Sequence, residues 1–287
     1  PEDTHISNIL NSLGQNVIGI ITENGACTQM YPGLWIGSSC EIQSNKGYWV
    51  IMSEDDILLL VGEPTDRNIT YTLHSGANLI SYPYRFATSI PDAIPDDVEN
   101  HVIGIITGGG ATTQMFGTWI GSLSSFEGSN GYWMILSEDI TFNFDNGCDD
   151  QECAMLSRNS NIQNTLDDIY GYTQSTKQAF YFFENIENIT IGDWVLAFYR
   201  DQIIGARQWQ GDIIDIPVMG NDGNDYSNGY IKSGQIPVFK LLSNGNLTNM
   251  NGEIPAWSDN GLFIISNLSK VVIPESYSLS QAYPNPF

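Results

Sequence analysis

Val17-Ile-Gly-Ile-Ile-Thr22 occurs a second time, unchanged, as Val102-Ile-Gly-Ile-Ile-Thr107. Both copies are rich in β-branched residues, and a glycine-containing segment follows each, Glu23-Asn-Gly25 in the first and Gly108-Gly-Gly110 in the second. This pattern is typical of a β-strand that runs into a tight hairpin. The same hairpin is therefore expected twice.

The duplication continues beyond this strand, and a gap of one residue aligns the two copies throughout. The further matching pairs are Thr28–Met30 with Thr113–Met115, Trp35–Ser38 with Trp119–Ser122, Gly47–Trp49 with Gly131–Trp133, and Ser53–Asp55 with Ser137–Asp139. Such self-similarity predicts two small β domains, residues 1–63 and 64–147. A short acidic turn or helix is expected before each copy, over residues 4–13 and 89–100.

The second copy has an additional opening strand, predicted over Leu73–Tyr84. Its counterpart in the first copy would precede Pro1, so we expect the first domain to lack its first strand. A sheet without one of its strands has unpaired backbone N–H and C=O groups, which a strand from elsewhere can bind.

The pattern changes after the second copy, where residues 148–160 are interpreted as a linker and 161–272 as a β-sandwich. Gln178–Phe183 is strongly apolar, and Gly192–Tyr199 with Ile203–Trp209 is interpreted as a hairpin. Further strands are predicted over Ile213–Met219, Ile236–Leu242 and Leu262–Ser266. With 14 Tyr, 12 Phe and 28 Gly and few helix-favouring runs, the whole chain is predicted to be mainly β, with an extended tail over 273–287.

The charge balance is strongly acidic, with 33 acidic and 10 basic residues and a net charge of −23. Such a field repels phosphate backbones and anionic lipids, so nucleic acid is not expected as a partner. No apolar run approaches the length of a membrane span. Solvation of the surface accounts for most of these carboxylates.

The four cysteines point to an oxidising compartment. Cys27 and Cys40 belong to the first copy, and the second copy has Thr112 and Ser124 in their places. Their joint absence from one copy predicts a Cys27–Cys40 disulfide, and the proximity of Cys148 and Cys153 in sequence predicts a local one. Two disulfides are typical of extracytoplasmic proteins. A zinc site is disfavoured because no Cys-x-x-Cys spacing exists.

One loop is a candidate calcium site, and two tryptophans are candidates for sugar binding. Oxygen-bearing side chains around a glycine turn suit Ca²⁺, although acidic turns are also common for conformational reasons alone. Packing in the core is the interpretation favoured for Trp35 and Trp119, since both copies keep the residue in the same apolar neighbourhood, and stacking on a sugar is the alternative. The calcium candidates are Asn221, Asp222, Asn224 and Asp225.

No catalytic motif was found, so no cofactor and no catalytic activity are expected. None of the three histidines lies in a His-Glu-x-x-His motif, and there is no Gly-x-Ser-x-Gly motif. Paired carboxylates for glycoside hydrolysis remain open because sequence gives no distances.

The last residues, Ser276–Phe287, resemble the start of the C-terminal sorting domain of cargo of the bacterial type IX secretion system. That resemblance rests on Tyr277, Leu279, Gln281, Tyr283, Pro284, Asn285, Pro286 and Phe287. It implies export by this machinery to the cell surface or exterior of a Gram-negative bacterium. The alternative is an ordinary proline-bracketed turn.

The third region also resembles a β-sandwich module of secreted proteins with this signal. The matching residues are Gly192, Asp193, Ala197, Phe198, Gly205, Ala206, Phe239 and Lys240. This resemblance implies a fold and a compartment but no activity.

The sequence therefore favours an extracellular, non-catalytic structural protein that self-assembles into a filament. In this hypothesis the tail of one molecule completes the first domain of the next by strand addition, a head-to-tail contact that does not close into a ring. The tail residues expected to form the contact are Tyr277, Leu279, Tyr283, Pro284 and Phe287. The alternative is a glycan- or surface-binding adhesin module, with polysaccharide as partner, belonging to a longer secreted hydrolase.

Overall fold

The computed structural model describes residues 4–60, 62, 66, 68–145 and 171–271. The described chain is mainly β, as the sequence predicts, with short helices only. Cys148, Cys153 and the whole predicted tail lie outside the described residues, as does the proposed linker over 148–160.

The first repeat contains one short helix, one 3₁₀ turn and four strands. They are α1 (Ile6–Ile9), the turn Asn11–Leu13, β1 (Val17–Ile21), β2 (Ala26–Tyr31), β3 (Leu34–Gly37) and β4 (Trp49–Met52). The second repeat contains β5 (Tyr71–Leu73), β6 (Gly76–Ser81), β7 (Thr88–Ser89), α2 (Ile90–Ala93), α3 (Asp96–Glu99), β8 (Val102–Thr107), β9 (Gly110–Met115), β10 (Thr118–Gly121), β11 (Ser125–Phe126), β12 (Gly131–Leu136) and β13 (Ile140–Phe142).

The third region contains eight strands and a 3₁₀ turn. They are β14 (Gln178–Phe183), β15 (Trp194–Tyr199), β16 (Gln202–Gln208), β17 (Asp215–Met219), the turn Asp225–Ser227, β18 (Val238–Ser243), β19 (Asn246–Asn251), β20 (Leu262–Ile265) and β21 (Ser269–Lys270).

The two repeats fold in the same way. The sheet order is β3-β2-β1-β4 in the first and β10-β9-β8-β12-β6 in the second, so four strands correspond one to one. The register also agrees: Ile21 lies opposite Trp49, and Ile106 lies opposite Trp133. The register also shifts at the same place in both sheets, between Val17 and Gly19 where β1 pairs with β4 and between Val102 and Gly104 where β8 pairs with β12. The predicted helices before each repeat are present as one or two short turns.

The predicted opening strand Leu73–Tyr84 is two strands rather than one. β5 pairs with β13, and β6 pairs with β12 in the main sheet, so the chain changes sheet between Leu73 and Gly76. The buried side chain of Asn78 causes this break, because it accepts a hydrogen bond from the His74 N–H and donates one to the His74 carbonyl. An asparagine that binds backbone groups nearby competes with regular strand pairing.

The first repeat has no counterpart of β5, β6 or β13 among its described residues. Its core consists of six buried residues, whereas the core of the second repeat has eighteen. The difference comes largely from aromatic side chains on or near the added strands, such as Tyr71, Phe142 and Phe144, whose rings pack on one another. The first repeat is therefore a thinner structure with the same hairpins.

The third region is a sandwich of two sheets with strand orders β17-β14-β20 and β16-β15-β18-β19-β21. Side chains from both sheets, such as Tyr181 and Phe239, meet in one core. The predicted hairpin is present as β15 and β16, joined at Arg200, which has a positive φ of 55°. A Cβ at Gly205 would lie 1.7 Å from the Pro217 carbonyl oxygen. Glycine is thus needed where β16 crosses β17.

Candidate interaction surfaces

The second repeat packs on the sandwich through an apolar surface. Phe180 and Phe182 of β14 point away from the sandwich core and are fully buried against the second repeat. The residues of the repeat that meet them are Ile106, Ala111, Ile120, Trp133 and Ile135, which we call the docking face. β14 is apolar along its whole length because it is covered on both sides, as expected for such a strand.

A buried ion pair joins the apolar contact to the loops of the repeat. Arg207 Nη2 lies 2.7 Å from Asp215 Oδ2, with these side chains 8% and 0% exposed. The Asp215 carboxylate also accepts hydrogen bonds from the Ser122 N–H and from Ser122 Oγ, the latter at 3.0 Å. Arg207 donates in addition to the Gly109 carbonyl at 2.6 Å. Arg207 Nη2 and both donors of Ser122 therefore have acceptors, as the burial of a charged group requires.

Gln178 completes this contact at the start of β14. Its Nε2 donates to the Thr107 carbonyl at 2.9 Å, and its Oε1 accepts from the Gly109 N–H at 3.3 Å. The amide thus binds both backbone groups of the glycine turn that follows β8. A side-chain amide that matches a donor and an acceptor together fixes the relative position of two elements.

The first repeat contacts the second through backbone pairing just before β4 and through one charged group. The Gly47 N–H donates to the Leu79 carbonyl at 3.1 Å, and Ser81 Oγ donates to the Ser44 carbonyl. Glu23 accepts hydrogen bonds from His74 Nε2 at 2.8 Å and from the Leu79 N–H at 3.2 Å, and Lys46 lies 3.9 Å away. Partial burial opposes ionisation of Glu23, but these hydrogen bonds outweigh it and hold its pKa below the usual range. Hydrogen bonding to the Ser75 carbonyl and to Glu23 raises the pKa of His74. Both shifts favour the ion pair.

The first repeat exposes an apolar segment next to an open strand edge. Residues 49–52 of β4 pair with β1 on one side and with no strand on the other in the described chain, whereas the corresponding β12 is bound by β6. Just before β4, Lys46 bridges to Ile80 of β6, so the edge is open only from Trp49 onward. The segment after β4 aligns with β13, yet Ile57, Leu59 and Leu60 are 75%, 71% and 61% exposed. In the second repeat, β5 pairs with Ile140–Phe142, and Phe142 and Phe144, the equivalents of Leu58 and Leu60, are buried. We call β4 and Ile57–Leu60 the open edge.

A polar depression lies beside Trp35 on the first repeat. Its volume is about 350 Å³, at the small end of ligand pockets, and its lining includes Gly14, Gln15, Gln29 and Trp35. In the second repeat, Glu99 stands at the position of Gly14 and accepts a hydrogen bond from Trp119 Nε1. The depression therefore exists because a glycine has replaced a glutamate.

A comparison with protein-family models, with curated proteins and with solved structures finds no match.

The candidate calcium loop is closed by hydrogen bonds of its own. Asp222 Oδ1 accepts from Ser227 Oγ at 2.6 Å, and Oδ2 accepts from Tyr226 Oη at 2.6 Å and from the Thr176 N–H at 3.1 Å. Burial opposes ionisation of Asp222, but these bonds outweigh it and hold its pKa well below its usual value. These hydrogen bonds join the two ends of the loop and connect it to Thr176. In the described residues, no group of three or more His, Cys, Asp or Glu could hold a metal ion together.

The remaining candidates from the sequence are two tryptophans and one pair of cysteines. Trp35 and Trp119 are both half-buried and pack against the cores of their repeats, and Trp35 also lines the depression described above. Cys27 and Cys40 form a disulfide. In the parts of the chain that the structure describes, no helix is long and apolar enough to span a membrane.

Three contact residues, Gln178, Arg207 and Asp215, were not predicted from the sequence. A signal was present, because each is a polar residue within or at the end of an otherwise apolar strand. A buried polar residue in such a place requires a partner. The sequence does not show where that partner lies.

Proposed function

We propose that this chain is a non-catalytic extracellular structural protein that assembles head to tail by strand addition. The observation that carries this proposal is the open edge of the first repeat: a strand, β4, that is paired on one side only, and an exposed apolar segment, Ile57–Leu60, where the second repeat has two more strands. An extended apolar segment of another molecule fits both features.

The tail of the chain carries the residues that such a donor needs. In β5, Tyr71 and Leu73 point into the core and are almost fully buried, and Tyr82-Pro83 follows β6. The tail has the same spacing in Tyr277-Ser-Leu279, and Tyr283-Pro284 follows it. Because Tyr71 lies opposite Phe142, we place Tyr277 of one molecule opposite Leu58 of the next. Leu279 then takes the place of Leu73.

The compartment is part of the same proposal. A disulfide between Cys27 and Cys40 favours an oxidising environment, and the net charge of −23 favours solubility. The resemblance of Tyr277–Phe287 to a type IX sorting signal supports export to the surface of a Gram-negative bacterium. The same segment would serve export and assembly.

The Leu58→Asp substitution tests the proposed contact. We expect it to weaken assembly by about tenfold or more, because a carboxylate would be buried beside Tyr277 without a partner. Deleting residues 277–287 should have the same effect. Assembly is measured by sedimentation and by electron microscopy of the purified chain.

Ile191→Asp is the control, because Ile191 is an equally exposed apolar residue, 74% exposed, that lies in the third region and outside the open edge. It should leave assembly unchanged. Assembly that survives both Leu58→Asp and the deletion would contradict strand addition, and so would a wild-type chain that stays monomeric at all concentrations.

A second candidate function, glycan binding by an adhesin module, is favoured by the depression beside Trp35. An aromatic ring next to the side-chain amides of Gln15 and Gln29 provides stacking and hydrogen bonding for a sugar. The replacement of Glu99 by Gly14 leaves this space open in the first repeat only. In this reading the chain binds polysaccharide through one repeat.

Trp35→Ala and Gln29→Ala should each lower binding to a polysaccharide array by about tenfold if this function is correct. Ile36→Ala is the control, because Ile36 is the next residue of β3 and points to the opposite face, where it is exposed. Equal binding by all three variants, or none by the wild type, would exclude the depression as a sugar site.

A further inference from the structure

The docking face of the second repeat is present in full on the first repeat. Ile21, Ala26, Ile36, Trp49 and Ile51 stand at the positions of Ile106, Ala111, Ile120, Trp133 and Ile135, and each pair is identical. The strand registers around them also agree. We call this set the matching face. It has the side chains and the backbone geometry that bind the sandwich in the second repeat.

The identity is greater on this face than in the core, and folding alone does not explain that. The core of the first repeat differs from that of the second at the buried Cys27 and at the partly buried Met52, which stand where the second repeat has Thr112 and Leu136. Positions on an exposed face are normally freer to differ than positions in a core. Here the partly exposed positions are the ones that have stayed the same.

The polar groups of the contact are retained as well. Ser38 corresponds to Ser122, which donates twice to Asp215, although the Ser38 N–H is bound to the Ala26 carbonyl and leaves only the hydroxyl for a partner. Thr22 corresponds to Thr107, whose carbonyl accepts from Gln178. The turn between them differs, with Glu23-Asn24 in place of Gly108-Gly109. Glu23 already binds His74 and the Leu79 N–H.

The matching face is exposed at Ala26 and Ile36, while Ile21, Trp49 and Ile51 are partly buried. Ile36 is 57% exposed and Ala26 is exposed, whereas Ala111 is fully buried and Ile120 is partly buried against Phe180 and Phe182. An exposed apolar face with a polar border is typical of a protein interaction site.

We propose that the matching face binds a second β-sandwich of the same kind, carried by another molecule. The partner presents two outward aromatic side chains on a central strand, as Phe180 and Phe182 do here. It also presents a buried carboxylate for Ser38 and a side-chain amide for the Thr22 carbonyl. This contact uses the face of the sheet and is independent of strand addition, which uses the open edge and Leu58.

The sandwich of this chain, released from its own repeat, is the probe for this proposal. Ile120→Asp places a charge in the docking face and should release the sandwich, which can then bind the matching face of a second copy. We expect the Ile120→Asp chain to self-associate in sedimentation experiments, and the Ile120→Asp/Ile36→Asp chain to do so about tenfold more weakly or not at all. Release is verified by amide hydrogen exchange of Ser122, and Ile135→Asp is added where one charge does not suffice.

Two results would overturn the proposal. One is a released chain that stays monomeric, and the other is equal association of the chains with and without Ile36→Asp. If the Ile120→Asp chain unfolds, a second experiment is needed. The wild-type chain and the Ile36→Asp chain are then cross-linked at high protein concentration, where the matching face of one molecule competes by mass action for the sandwich of another. Equal cross-linking of the two would then overturn it. If Leu58→Asp abolishes the association and Ile36→Asp does not, the contact uses the open edge and not the matching face.

Discussion

Asp215→Ala should lower the free energy of unfolding by about 3–5 kcal/mol, the usual effect of removing one partner from a buried ion pair. The substitution leaves the Arg207 guanidinium buried without its carboxylate and removes the acceptor of both Ser122 donors. Most of the lost stability is the cost of keeping the Arg207 charge buried without a partner, because an intact buried ion pair need not add net stability. Denaturant unfolding, monitored by tryptophan fluorescence, measures the change.

Asp212→Ala is the control, because Asp212 is exposed in the loop just before β17. Its effect should stay within about 0.5 kcal/mol. If the Asp215→Ala chain unfolds at the same denaturant concentration as the control, water must reach Arg207. The ion pair would then not hold the second repeat on the sandwich. Hydrogen exchange of Ser122 should rise in the Asp215→Ala chain for the same reason.

Replacing Cys27 by Thr and Cys40 by Ser should destabilise the first repeat by about 3 kcal/mol, the chain-entropy value for a loop of this length. The two cysteines are separated by 13 residues, so the bond restricts the unfolded first repeat. The small core, with six buried residues, contributes only a small free energy of unfolding, so the loss of the bond has a large relative effect. We expect this repeat to become sensitive to protease while the rest of the chain stays protected.

The second repeat is the internal control for this experiment, since Thr112 and Ser124 occupy the same positions there. It folds without the bond because its core has eighteen buried residues. Uniform loss of protection over both repeats would contradict a local role of the disulfide. Unchanged protection of the first repeat would show that its packing alone suffices.

The hairpins of both repeats and of the sandwich could be predicted from the sequence because their causes are local. β-Branched runs ending in glycine turns specify β1 with β2 and β8 with β9, and the Gly192–Trp209 segment specifies β15 with β16. The Cys27–Cys40 bond was also predictable, since comparing the two copies shows a pair lost together. The mainly β class followed from the same patterns.

The break between β5 and β6 was not predicted, because it depends on what Asn78 does. An asparagine in an apolar run is compatible with a strand, and only its hydrogen bonds to His74 show that the chain bends there. Similarly, the apolar run in β14 indicates burial but not that its two sides face different partners. Tyr181 belongs to the sandwich core, whereas Phe180 and Phe182 belong to the contact with the second repeat.

By itself, the sequence determined the class of fold, the duplication, the hairpins and one disulfide, because each depends on residues close in the chain or on comparison of two copies. The tertiary structure alone decided which surfaces are covered. It brought Ser122 to Asp215 and left Ile36 and Leu58 exposed, although the two repeats have the same hairpins. Burial depends on contacts between distant segments, and two identical faces differ in exposure when only one of them has a partner.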